Sequence, residues 1–111
     1  MFVKYFILDS QRNGSCYHEF YKGKWDGHTH WKADSIMLDD DLLCEGFVDA
    51  ICEIIPDYAP YGVTEISFDE WKDIGKVIST KDKISQELYH DADKWLRKVF
   101  ENYTCFTILG I

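Results

Sequence analysis

Residues 39–55 read DDDLLCEGFVDAICEII, and the rest of the chain is organised around this stretch. Asp41, Glu45, Asp49 and Glu53 recur every four residues. Leu43, Phe47, Ile51 and Ile54 recur at helical spacing on the opposite side, flanked by Cys44, Val48 and Ile55. Side chains three and four apart share a helix face, so the spacing predicts one helix with an apolar side and an acidic side. The apolar side is an ordinary core face. The acidic side is less ordinary, because like charges four apart repel by about a few tenths of a kcal/mol per pair. Asp41–Glu45, Glu45–Asp49 and Asp49–Glu53 are three such pairs, and the segment holds no Lys or Arg to offset them. Carboxylates towards the C-terminal end also oppose the helix dipole, so Asp49 and Glu53 are not placed for helix stability. Asp39 or Asp40 can cap the first amides, and Pro56 stops the helix.

Upstream, residues 2–8 (FVKYFIL) read as a mostly buried strand and 9–14 as a turn centred on Asn13-Gly14. Residues 15–22 alternate, with Cys16, His18, Phe20 and Lys22 on one side, and complete an antiparallel hairpin with 2–8. A second glycine-bounded turn (23–27) leads to a third strand over 30–38. Downstream, the loop 56–62 (PDYAPYG) precedes a short strand at 63–66. Ser67-Phe-Asp-Glu70 matches a capping box and opens a helix over 68–78, with Trp71, Ile74, Val77 and Ile78 on its apolar side. A break at 79–83 precedes a helix over 84–102 with the stripe Ile84, Leu88, Trp95, Leu96 and Val99. Residues 103–111 (YTCFTILGI) are β-branched and apolar and close the chain as a strand. The helical connection between 63–66 and this strand suggests a right-handed crossover and a parallel pair. The expected architecture is α+β: one domain over 1–111, a single mixed layer of four to five strands with an N-terminal antiparallel hairpin, and three helices packed on it.

Of 111 residues, 46% are apolar and 16% aromatic, enough to bury a core and to exclude a disordered chain. Twelve Lys and Arg stand against twenty Asp and Glu, giving a net charge of -8. That balance argues against nucleic acid, which needs a basic footprint, and favours a basic protein, a cation or solubility alone. No apolar run approaches the ~18 residues of a membrane span. The N-terminal apolar run is interrupted by Lys4 and followed by Asp9 without a small-residue cleavage site, so the expected location is the cytoplasm. Cys16, Cys44, Cys52 and Cys105 lack CxxC pairing and read as small core residues.

His28 and His30, two apart on an extended segment, point to one face, and His18 could join them as metal ligands, although the spacing matches no established metal motif. Cys16 and His18 share a strand face, but nothing activates the thiol. No oxyanion-hole loop, G-x-S-x-G or glycine-rich phosphate cradle is present, and neither an enzyme nor a cofactor is expected. The best constellation is the acidic stripe Asp41, Glu45, Asp49 and Glu53 running towards Asp57, Tyr58 and Tyr61. Tyrosines anchor interfaces through large contact area, while charge steers and orients the partner. The expected partner is a protein with a basic surface. Two alternatives are a small metal- or ligand-binding module around His18, His28 and His30, and an acidic structural domain, monomeric or weakly dimeric through Trp25 and Trp31.

A small acidic chain without a catalytic motif resembles the immunity proteins of bacterial toxin systems. Its C-terminal half is similar to the barstar family in order of elements: a short strand at 63–66, FDEW (68–71) opening a helix, a second helix to Asn102, and the closing strand TCFTIL (104–109). The resemblance implies an antitoxin that places carboxylates of one helix and the neighbouring loop into the basic site of a toxin domain such as a nuclease. The family's tyrosine-glycine-asparagine helix entry is absent, since Tyr61-Gly62 precedes a strand, so no individual inhibitory residue is carried over.

Overall fold

The closing stretch CFTIL forms the strand on which the sheet is built. The structure, a computed structural model, describes residues 5–12, 14 and 16–110. In chain order it contains β1 (Tyr17–Lys22), β2 (Ile36–Asp39), α1 (Asp40–Gly46), α2 (Val48–Ile54), β3 (Val63–Ser67), α3 (Phe68–Ile78), α4 (Lys83–Asn102) and β4 (Cys105–Leu109). Among the described residues these strands make one four-stranded sheet in the order β2-β1-β4-β3, with every neighbouring pair antiparallel. The α+β class and the layer of strands under helices are as the sequence predicts.

One face of the sheet carries Phe20, Ile36, Leu38, Ile66, Phe106 and Ile108 into a core shared with Leu43, Phe47 and Ile51 of α1–α2, Trp71 and Ile74 of α3, and Leu88, Leu96 and Val99 of α4. An aromatic chain ties the layers: Phe20 stacks on Phe106 with centroids 5.5 Å apart, Phe47 meets Trp71 at 6.2 Å, and Trp71 meets Phe106 edge-on at 5.5 Å. The opposite face is covered as well, which strand alternation does not anticipate. Glu19 is 2% exposed, and its two carboxylate oxygens accept the backbone N–H groups of Trp31 (2.6 Å) and Lys32 (3.0 Å). Thr107 Oγ1 donates to the Gly23 carbonyl at 2.8 Å, and the Lys32 ammonium lies over the Tyr21 ring. The loop 23–35 is thus bound across the sheet by a buried carboxylate. Trp31 holds a left-handed φ of 58° there, a conformation costly for a side chain of its size and kept in place by these bonds.

Several sequence expectations are corrected. The expected strand over 2–8 is not seen pairing with β1 among the described residues: 2–4 lie outside them, and Ile7 forms a lone bridge to Met37 of β2 instead. The antiparallel partner of β1 on that side is β2, reached around the long loop 23–35. The turn at Asn13 also lies outside the described residues. β3 and β4 are antiparallel rather than parallel. The two helices that connect them make two reversals, which return the chain to the end it left, so the next strand must run back. Residues 39–55 do not form a single helix, because Phe47 separates α1 from α2. Of the four cysteines only Cys52, half-buried, packs against the core; Cys105 is half-buried, and Cys16 and Cys44 are exposed. In α4, Ile84 is exposed and Trp95 half-buried, its Nε1 donating to the Asp34 carbonyl at 3.3 Å, while Ala92 and Asp91 occupy the buried stripe instead. Trp25 and Trp31 are likewise not an exposed pair. Trp25 Nε1 donates to the Thr29 carbonyl at 2.6 Å, and the Arg12 guanidinium stacks over Trp31 at 4.1 Å.

Candidate functional site: the acidic face of the first helices

Asp39 caps α1, its Oδ1 accepting the Asp41 N–H at 2.9 Å. Asp40 turns the other way and fixes the helix start to the sheet. Its Oδ1 lies 2.7 Å from Nε2 of His18, a fully buried residue of β1. Beside a carboxylate Nε2 is the donor, and Nδ1 is buried without a hydrogen-bond partner among the described residues. With its start held there and Leu43, Phe47 and Ile51 in the core, the helical segment can present only one side outward.

That side is the acidic stripe. Asp41, Glu45, Asp49 and Glu53 are all exposed. Among the described residues no Lys or Arg comes within ion-pair distance of any of them. The cations that could have folded over the stripe are engaged or pointed elsewhere. Lys76 pairs with Asp73 (3.8 Å), Arg97 pairs with Asp93 (3.1 Å), and Lys72 sits over the Phe68 ring. Lys81 and Lys83 are exposed at the α3–α4 junction. The break at Phe47 changes the dipole argument for one residue. Asp49 now lies in the first turn of α2, where a negative charge is favourable. Glu45 and Glu53 stand in the last turns of α1 and α2, where it is not.

Beyond α2, Asp57 and Tyr61 are exposed, Tyr61 to 71%. Tyr58 is different. It is 6% exposed, packs in the core, and has a hydroxyl without a hydrogen-bond partner among the described residues. Burial pushes its ionisation well above the ordinary tyrosine range, with Cys52, Cys44 and Asp40 adding to the effect. As a core residue it cannot contact a partner at the surface, so the aromatic part of the site reduces to Tyr61.

The three histidines are not brought together. His18 is buried on the helix side of the sheet, whereas His28 and His30 are exposed on the loop 23–35, His28 beside Asp26 (3.7 Å) and His30 against Trp25. Among the described residues no three His, Cys, Asp or Glu side chains are grouped to hold a metal ion. Cys16 lies exposed just before β1, apart from the buried His18. The Cys44 thiol lies 3.9 Å from Asp40, and burial together with Asp40 and Asp41 pushes its pKa up, the reverse of an activated thiolate. The His18–Asp40 pair was not legible in the sequence: its members stand 22 residues apart, and no local signal links a strand residue to a helix start.

Among the described residues no helix is long and apolar enough to cross a membrane. The comparisons with known proteins returned no match to a family model, a curated protein or a solved structure.

Proposed function

We propose that the chain is a binding protein that docks a basic protein surface on the exposed acidic face of α1 and α2. We further propose that the partner is a toxin domain, such as a nuclease, which this face occludes in the manner of a cytoplasmic immunity protein. The observation that carries the reading is the unrelieved stripe: Asp41, Glu45, Asp49 and Glu53 face solvent with no countercharge among the described residues. Like charges on one face cost local stability, and a basic partner converts that cost into attraction on binding. Tyr61 and Asp57 lie at the end of the same helical segment and fit the rim of such an interface.

The test asks whether a toxin domain is encoded beside this chain and, where one is, uses it. Co-expression protects cells, and association of the purified pair slows steeply as salt is raised, because steering between charges is screened beyond a Debye length of about 10 Å at 0.1 M salt. Glu45→Lys with Glu53→Lys abolishes protection and flattens the salt dependence while the fold is retained. A double variant that protects as well as the parent refutes the proposal.

A further inference from the structure

The two edges of the sheet are treated differently by the chain. At β2 the outward-facing Met37 exchanges two backbone hydrogen bonds with Ile7, at 3.0 and 2.7 Å, so that edge is capped from within. At β3 the Gly110 N–H donates to the Gly62 carbonyl at 2.7 Å, which marks positions 62 and 110 as a hydrogen-bonded pair. In an antiparallel ladder such pairs alternate, so Thr64 and Ile66 turn their backbone groups towards β4. The N–H and C=O groups of Val63 and Glu65 therefore point away from the sheet, and among the described residues nothing pairs with them. Ser67, the next outward position, already gives its N–H to Glu70 (2.9 Å), which closes the edge at that end.

We infer that β3 is a strand-addition site that accepts an extended segment of the basic partner, with an apolar side chain beside Val63 and a Lys or Arg beside Glu65. Backbone bonds to an open edge give affinity and alternate side chains give specificity. The side chains around the edge fit this occupant. Val63 is 52% exposed where the strand begins, an apolar side chain open to solvent beside the free edge. Glu65 is exposed, and its carboxylate meets only the weak Cys105 thiol donor, 3.8 Å away, with no Lys or Arg paired to it among the described residues. Glu65 also disfavours a second copy on the same edge, since two such strands would bring their glutamates close together. The inference takes the sign of the partner's charge from the proposed function but uses a different surface, so either can fail alone.

The probe is a short synthetic peptide in which valine and threonine alternate with lysine, added to the full chain and followed by amide resonances. In the expected result the Val63 and Glu65 amides shift and exchange with solvent at least about tenfold more slowly, as backbone pairing requires. The same peptide with its pairing amides N-methylated has no effect, and Glu65→Lys weakens binding about tenfold or more while the remaining resonances stay in place. Glu45→Lys with Glu53→Lys leaves this binding intact, which separates the edge from the acidic face. The inference is overturned if millimolar peptide leaves Val63 and Glu65 unprotected, if the methylated peptide binds equally, or if the shifts fall on 41–53 instead. It is also overturned if the free protein already protects this edge as a dimer in light scattering.

Discussion

At Gly75 two effects of opposite sign meet. In a helix interior Ala is favoured over Gly by about 1 kcal/mol. A Cβ on Gly75, however, would overlap the hydroxyl and Cζ of Tyr89. Tyr89 is held in place, with its ring stacked on Trp71 at 4.3 Å between centroids and its hydroxyl donating to the Trp71 carbonyl at 3.1 Å. Forcing such a ring aside costs about 1–3 kcal/mol, and the displaced hydrogen bond about 1 kcal/mol more. Gly75→Ala should therefore destabilise the protein by about 1–3 kcal/mol in urea unfolding. With Tyr89→Ala in the background the obstruction is gone, and the same substitution should stabilise by up to about 1 kcal/mol. Destabilisation in both backgrounds would show that Tyr89 is not what the glycine accommodates. From sequence Gly75 is only a weak point in a helix. His18, Tyr58 and Glu19 were equally opaque, because each is defined by a contact made across the fold. A tyrosine in a loop reads as surface, yet Tyr58 is core because the loop folds inward at that one residue.

The elements with local start signals were the legible ones. Ser67 accepts the Glu70 N–H at 3.1 Å and the Glu70 carboxylate accepts the Ser67 N–H at 2.9 Å, so the capping box seen in the sequence sets the first residue of α3. Ser67→Ala should cost about 1 kcal/mol, and Ser67→Asp, which restores an acceptor, should recover most of it. Equal loss in both variants would mean that the strand end at Ser67, not the cap, sets stability there. For 39–55 the faces were legible and the element was not. Phe47 N–H still bonds to the Leu43 carbonyl, and Ile51 N–H to the Phe47 carbonyl, both at 2.9 Å. The four-residue spacing therefore runs through the break, and a pattern of faces cannot reveal it. The sequence pattern misleads on the direction of β4 although both connecting helices are visible in it, since a crossover rule framed for one helix does not hold for two.

At the scale of the whole molecule, a net charge of -8 is distributed so that the helical face opposite the core carries acid without base. The sequence shows the stripe, but only the packing of α3 and α4 decides whether Lys72, Lys76 or Arg97 reaches it, and they do not. If the stripe were there for stability, removing its charges should harm the fold; if it is there for binding, the fold should improve as binding is lost. The break at Phe47 makes the prediction residue-specific. Glu45→Lys and Glu53→Lys each place a cation in the last turn of a short helix, worth about 0.3–1 kcal/mol against the dipole. Each also turns repulsive four-residue neighbours, Asp41 and Asp49 for the first and Asp49 for the second, into attractive ones at about 0.2–0.5 kcal/mol per pair. The double variant should therefore gain on the order of 1 kcal/mol and melt a few degrees higher. Asp49→Lys should change stability little, because the new pairs with Glu45 and Glu53 are offset by replacing an anion with a cation in the first turn of α2. Thermal melts at low and high salt distinguish the cases, since the gain of the double variant shrinks as salt screens the parent's repulsion. A double variant that melts lower than the parent at low salt would mean that the carboxylates serve the fold, and the binding proposal would lose its physical basis.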